Sequence, residues 1–334
     1  CDVMPIRGIN RLIAMKTLNN FNFSKVVPIK KIYNILNINK KISINDLGYL
    51  IGPILNSGGR LNRSEYAVEL LTANDEDKIE TFAKKLISLN NKRKIFEQRV
   101  LSSINYKLIK KKNKNVIFYY DPTISEGLIG IIAARLKDYF NKPVIVLTNS
   151  QNLLKGSARS IYGFDIGLVI KNAIDNNLII KGGGHKMAAG FSVEKKKITV
   201  LEDFLNSSYN KIVKSSNNKS FFYLSKLSLS GLNKSFNNEI NKLYPFGTGN
   251  PEPIFLFENL KIKKVKIIDN KHISNLFYSK NGHSISSISF NSVNETIGKY
   301  LINYKNEIGV IGFIKENLWN NKKILQLVVR DLII

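Results

Sequence analysis

Three consecutive glycines, Gly182-Gly183-Gly184, lead into His185-Lys186-Met187-Ala188-Ala189-Gly190-Phe191 and constrain this chain more than any other stretch. A run without Cβ atoms abolishes local helix and strand preference, and its backbone can take positive φ or approach a ligand unobstructed. Its place between the apolar Leu178-Ile179-Ile180 and a strand start at Ser192-Val193 predicts a loop. Two readings fit that loop: a phosphate-binding turn with His185 as a contact, or a tight strand-to-helix turn in which His185 is a satisfied core histidine. A second glycine-led stretch, Gly156-Ser157-Ala158-Arg159-Ser160, joins two hydroxyls to a guanidinium, the chemistry that grips a phosphate. Both stretches belong to one α/β unit, so the sequence predicts that they face one cleft.

The charge balance agrees with an anionic ligand. Against 25 Asp+Glu stand 51 Lys+Arg, a formal charge of +26 that points to a polyanion, nucleic acid first. The chain is also rich in Lys, Asn and Ile, so general composition accounts for part of that charge. Nine of the basic residues are arginines, and arginine retained in a lysine-rich background marks places that need a planar, bidentate fork. Arg11, Arg60 and Arg159 sit in Gly/Asn/Ser contexts and are the first candidates. One cysteine, Cys1, and three histidines exclude a disulfide framework and a Cys/His zinc site, and they indicate an intracellular, cytoplasmic protein. No apolar run approaches the ~20 residues that span a bilayer, and no signal peptide is visible. The chain starts at Cys1, without methionine, in what reads as a strand end. The expectation is a fragment whose upstream part is missing.

Along the chain, residues 1–25 read as a strand end followed by a helix with Asn10 and Arg11. Asp2 at that strand end suits a metal ligand and equally a helix cap. Residues 26–114 read as a helical connector. Within it Asn56-Ser57-Gly58-Gly59-Arg60 is expected to break a helix and present Arg60 from a flexible turn, either for binding or as a solvated connection. Apolar residues from Ile79 to Leu108 recur every three or four positions, which predicts one helix over 75–109, on the order of 50 Å long. Residues 115–210 read as an α/β domain containing both glycine stretches. Residues 218–334 carry short strands with turn signals, the pattern of a small β-barrel. There Phe277, Tyr278 and Trp319 read as base-stacking faces or as core, and Lys261, Lys263, Lys264 and Lys266 flank apolar positions. The fold class is multidomain α/β plus all-β.

Taken in order, six stretches resemble the RecJ family of single-strand-specific 5′-to-3′ DNA exonucleases, within the DHH phosphoesterase superfamily. They are Asp2-Val3-Met4-Pro5 with Asn10-Arg11; Gly52-Pro53 through Asn56 to Gly59-Arg60; Glu126-Gly127-Leu128-Ile129-Gly130 through Leu136; Gly156 to Ser160; Gly182 to His185; and Pro245-Phe246-Gly247 with Gly249 to Pro253. The resemblance implies a remnant of a DHH catalytic domain over 1–25, a long connecting helix, a DHH-associated domain and a C-terminal OB-fold that binds single strands. It implies Asp2 as one ligand of a two-metal Mn²⁺ or Mg²⁺ site completed by the missing N-terminal domain. It also implies Arg60 and His185 near the scissile phosphate, and Ser157, Arg159, Ser160, Gly183, Gly184 and Asn56 as substrate contacts. The implied substrate is single-stranded DNA with a 5′ phosphate, in repair and recombination; a single-strand-binding protein and a helicase are candidate partners of a monomer. Departures exist: Ile54 stands where the family has arginine, Ser125 where it usually has histidine, and no Asp-His-His string occurs. The expectation is therefore a chain inactive as a nuclease by itself. Two alternatives stand beside it, a non-catalytic single-strand-binding protein and a DHH phosphoesterase acting on oligoribonucleotides.

Overall fold

A computed structural model describes residues 4–213, 222–319 and 322–334. The helical elements come first: α1 (Gly8–Asn19), α2 (Val27–Ile35), α3 (Ile44–Asp46), α4 (Gly52–Arg60), α5 (Glu65–Thr72), α6 (Glu76–Ser103) and α7 (Tyr106–Lys111). An α/β run follows: β1 (Ile117–Tyr120), α8 (Glu126–Phe140), β2 (Val144–Ser150), β3 (Leu153–Arg159), α9 (Ile166–Asp175), β4 (Lys181–His185), β5 (Ala188–Val193) and α10 (Ile198–Val213). The chain ends with β6 (Ser225–Lys226), α11 (Lys234–Asn241), β7 (Phe255–Ile268), β8 (His272–Ser279), β9 (Ser284–Ser289), α12 (Thr296–Asn303), β10 (Ile308–Trp319) and β11 (Lys322–Ile333). These fall into two compact units, Asn22–Asn218 and the combination of Asp2–Phe21 with Lys219–Ile334.

In the first unit α6 is the scaffold. Asp75 Oδ1 accepts from the Asp77 N–H at 2.9 Å, and Glu76 and Asp77 place negative charge in the first turn. Its buried line runs Ile79, Ala83, Leu86, Asn90, Arg93, Glu97, Val100, so the apolar stripe turns polar halfway along. At 28 residues it is about 42 Å long, shorter than the expected single helix over 75–109. Ile104 adopts extended backbone, and Asn105 Oδ1 accepts from the Leu108 N–H at 3.0 Å to start α7. The expected break at Gly58-Gly59 does not occur, and α4 stays helical to Arg60. Gly58 serves packing instead: a Cβ there would lie 2.3 Å from the Arg63 carbonyl oxygen and 3.4 Å from Leu86 Cδ2. Ser57 Oγ, buried beside it, donates to the Leu86 carbonyl at 3.0 Å.

At α3, Ser43 and Asp46 form a capping box, with Ser43 N–H donating to Asp46 Oδ2 at 2.9 Å and Asp46 N–H to Ser43 Oγ at 3.2 Å. Burial by itself would push the Asp46 carboxyl up, but hydrogen bonds from Lys40 and Ser43 overrule it and hold it below its ordinary value. A depressed folded-state pKa contributes stability that is complete above the unfolded carboxylate range and lost as pH falls through the folded value. Asp46→Asn is expected to cost about 1 kcal/mol at neutral pH and to flatten the acid limb of the urea midpoint plotted against pH.

The sheet of the α/β domain has strand order β1-β2-β3-β5-β4, with β1 and β2 parallel around the α8 crossover and the other pairs antiparallel. One face packs Ile117, Val144 and Val146 against Leu128, Ile129, Ile132 and Leu136 of α8. The other packs Ile145, Leu154, Ala158, Phe191 and Val193 against Ile166, Val169 and Ile170 of α9 and Leu201 and Leu205 of α10.

In the second unit β7 to β11 close a barrel in the order β10-β11-β9-β8-β7, sealed by antiparallel pairing of β10 with β7. Its core holds Phe255, Phe257, Leu260, Ile273, Phe277, Val310, Leu327 and Val329, with Leu301 of α12 packed in. α1 belongs with this unit through two arginines. Arg7 Nε donates to the Gly249 carbonyl, and Arg11 donates to the carbonyls of Lys242 at 2.6 Å and of Leu243 and Tyr244 at 3.2 Å each. The Arg11 fork is thus spent on the backbone that follows α11, a structural use of an arginine first considered for binding.

Candidate nucleic-acid interface

The glycine triplet is a strand, not a loop: Gly182, Gly183 and Gly184 form most of β4, the sheet's exposed edge, and none has positive φ. The reason for glycine differs along the strand. A Cβ on Gly182 would meet Phe191 Cβ at 2.7 Å, and one on Gly184 would meet the Ala188 carbonyl oxygen at 2.3 Å. A Cβ on Gly183 would meet nothing within 4 Å. Paired residues in antiparallel strands share a face, so the register sorts these positions. Gly183 pairs Gly190, which pairs Ser157; His185 pairs Ala188, which pairs Arg159. Ser157, Arg159, Gly183 and His185 therefore lie on the α8 side of the sheet around a floor with no side chain at Gly183 or Gly190. Gly184, expected as a substrate contact, lies on the opposite face and serves close packing.

The second glycine-led stretch is likewise strand, the end of β3. Gly156 lies under Phe191, whose ring atoms would stand 2.4 to 2.7 Å from a Cβ. Arg159 Nη1 donates to Ser157 Oγ at 3.2 Å and to the Ala158 carbonyl at 2.8 Å. Its terminal nitrogen reaches α8 at Gly130, where a Cβ would stand 2.8 Å from Nη2 and 3.2 Å from Ser157 Oγ. One turn earlier on α8, a Cβ on Gly127 would lie 2.4 Å from the Arg60 carbonyl oxygen, and Arg60 Nη1 donates to the Gly127 carbonyl at 3.0 Å. Two glycines at i and i+3 thus give α8 a notched face that seats both arginines. Burial lowers the pKa of both guanidinium groups, and so does like charge: Arg93 acts on Arg60, and Arg60 on Arg159. Crowded, partly desolvated guanidinium groups with unspent N–H donors favour a multivalent oxyanion.

The remaining expected residues sort clearly. His185 is exposed, and its Nδ1 accepts from the Met187 N–H at 3.3 Å, which leaves Nε2 to face a ligand. Asn56 is exposed on α4, one turn before Arg60. Ser160 is 1% exposed and donates to the Phe164 carbonyl at 2.6 Å, so its hydroxyl shapes the turn after β3. Asp2 lies outside the described residues. Phe277 is barrel core rather than a stacking face, and Tyr278 is half-buried. Phe290 is an exposed aromatic of this unit and lines a 340 Å³ cavity together with Phe313, Lys315 and Arg330. Sequence reading misses three residues behind the arginine pair: Arg93 and Glu97 on α6 and Arg135 on α8. Glu97 accepts from Arg93 Nη1 at 2.8 Å and from Arg135 Nε at 2.7 Å.

Metal ligation is a separate matter. Among the described residues no three His, Cys, Asp or Glu side chains cluster to hold a metal ion, and Asp75 is engaged as the cap of α6. These residues do not fit the metal pair that the resemblance implies. No helix among the described residues is long and apolar enough to cross a membrane.

A mixed sheet with a guanidinium-lined face, in the same chain as a closed five-stranded barrel, is a DHHA1 domain with an OB domain. The DHHA1 domain family model matches residues 113–213 and the RecJ OB domain model residues 225–331. The chain is 31% identical over 303 residues to the single-stranded-DNA-specific exonuclease RecJ of Haemophilus influenzae, covering 87% of this chain and 53% of that protein. To the Bacillus subtilis protein of the same name it is 27% identical over 350 residues, covering 99% of this chain and 42% of that one. The crystal structure of RecJ in complex with Mg²⁺ from Thermus thermophilus shares the fold, with a TM-score of 0.81 at 24% identity over 99% of this chain and 50% of that one. The chain belongs to the RecJ family, and it spans about half the length of the curated relatives it matches.

Proposed function

We propose that this chain works in single-stranded-DNA-specific 5′-to-3′ exonucleolysis and that its α/β domain grips the 5′-terminal phosphate. The observation that carries the reading is the pair Arg60 and Arg159, seated on Gly127 and Gly130 of α8 with Ser157 beside them. A terminal phosphate offers more charge and more free oxygens than an internal diester. A site with two guanidinium groups, each holding only its Nη1 in hydrogen bonds to the protein, therefore prefers a strand end, and an anchored 5′ end sets the polarity of digestion. The glycine floor lets a sugar-phosphate backbone lie against the sheet, with His185 at its rim. Phe290, Lys315 and Arg330 supply stacking and cationic contacts on the barrel.

The described residues provide no cluster that would hold the Mn²⁺ or Mg²⁺ pair, and in this reading the chain by itself is expected to bind strands without degrading them. Two measurements test this. Fluorescence anisotropy with 5′-phosphorylated and 5′-hydroxyl single strands is expected to show at least a ~10-fold preference for phosphate, equivalent to about 1.4 kcal/mol, and a steep loss of affinity with salt. Equal affinity for both ends would favour the non-catalytic binding protein, and preference for short RNA over DNA the oligoribonucleotide phosphoesterase. Incubation of labelled strands with Mn²⁺ is expected to leave them intact, and shortening from the 5′ end would overturn the inactivity.

A further inference from the structure

The core stripe of α6 carries a polar segment at the level of the arginine pair. Asn90, Arg93 and Glu97 occupy positions that continue the line of Ile79, Ala83 and Leu86, and they are 5%, 8% and 6% exposed. Charged residues this deep are expensive unless paired, and a shared carboxylate with both oxygens engaged is such a pairing. Glu97 Oε2 accepts from Arg93 Nη1 at 2.8 Å and Oε1 from Arg135 Nε at 2.7 Å, while Arg93 Nε donates to Asn90 Oδ1 at 3.1 Å. The links run on: Arg135 and Gly127 share α8, and the Gly127 carbonyl accepts from Arg60.

We infer that Glu97 is a positioning residue for the phosphate grip, fixing α6 to α8 and holding Arg93 behind Arg60 so that the Arg60 fork stays turned toward the ligand. This rests on the reading that Arg60 and Arg159 bind a terminal phosphate. Two effects make Glu97 more than a structural pair. Its carboxylate offsets the repulsion that Arg93 imposes on Arg60, which keeps Arg60 from swinging out to solvent. Its two-armed hydrogen bonding also ties Arg93 and Arg135 down, so neither competes with Arg60 and Arg159 for the anion or grips internal phosphates. Glu97 thereby sets selectivity for the strand end rather than overall affinity.

The test compares wild type with Glu97→Gln and Arg135→Gln, reading the affinity ratio between 5′-phosphorylated and 5′-hydroxyl oligonucleotides together with thermal melting. Glu97→Gln is expected to lower the ratio by at least fivefold while affinity for the hydroxyl strand holds or rises, because a negative charge has left a cationic site. Arg135→Gln, which removes only the more exposed arm, is expected to lower the ratio about twofold to threefold. A purely structural Glu97 would lower melting temperature and leave the ratio unchanged, and that result overturns the inference. If Glu97→Gln does not fold, Arg135→Gln decides: an unchanged ratio counts against the inference and a reduced one supports it. A wild-type ratio of one would instead sink the phosphate-grip reading itself, and this inference with it.

Discussion

Replacing Arg159 with alanine is expected to weaken binding of 5′-phosphorylated single strands about 30- to 100-fold and to leave 5′-hydroxyl strands within about threefold. The magnitude follows from two charge-assisted hydrogen bonds to a dianion in a half-buried site, together about 2–3 kcal/mol net. Only one guanidinium nitrogen of Arg159 is occupied by Ser157 and the Ala158 carbonyl, so Nε and Nη2 remain for the ligand. The folded state should tolerate the change. The β3 ladder to β2 and β5 is made by backbone groups, and the substitution removes a charge that Arg60 repels. Arg159→Lys is expected to recover less than half of the lost free energy, because an ammonium cannot present the planar fork. Anisotropy titrations at fixed salt measure all three proteins, and an equal loss on both strand types would assign Arg159 to general backbone contact.

Much of this site is legible in residue types and little of it in local conformation. Arg60, Ser157, Arg159 and His185 stand out by chemistry, and the structure places Ser157, Arg159 and His185 on one sheet face and Arg60 against the same helix. The glycine runs read as loops because propensity treats absent side chains as absent order. Here Gly156, Gly182 and Gly184 lie in regular strands, where Phe191 and the β5 backbone leave no room for a Cβ. Arg93 and Glu97 escape a reading that follows only apolar positions along α6. The steps from Leu86 to Asn90, Arg93, Glu97 and Val100 are four, three, four and three residues, the same spacing as the core. A charged pair on such a line is legible once polar residues are allowed onto it. β8 mixes polar and apolar residues on its buried face in the same way: buried Asn275, whose Nδ2 donates to the Leu301 carbonyl at 3.0 Å, stands between Ile273 and Phe277. At the first unit's other end, α6 stops six residues short of its expected limit because Asn105 caps a new helix rather than continuing the old one.

Alanine at Gly127 and at Gly130 should act in opposite directions on stability while both impair the grip. The two positions are one turn apart on α8, and intrinsic propensity favours alanine at each by about 1 kcal/mol. At Gly127 the new Cβ would face Arg60 backbone, 2.4 Å from its carbonyl oxygen and 2.8 Å from its Cα. Backbone cannot rotate away, so the contact between α4 and α8 must open, at about 3 kcal/mol. The net loss is about 2 kcal/mol, and Arg60 moves with it. At Gly130 the new Cβ would meet the terminal Nη2 of Arg159 and the hydroxyl of Ser157, groups that swing aside cheaply. Gly130→Ala should therefore melt a few degrees higher than wild type while losing on the order of tenfold in affinity for phosphorylated ends. A more stable protein with a weaker grip is an outcome that general unfolding cannot produce. Full retention of 5′-phosphate preference in Gly130→Ala would show instead that Arg159 and Ser157 need no notch in α8 to reach the strand end.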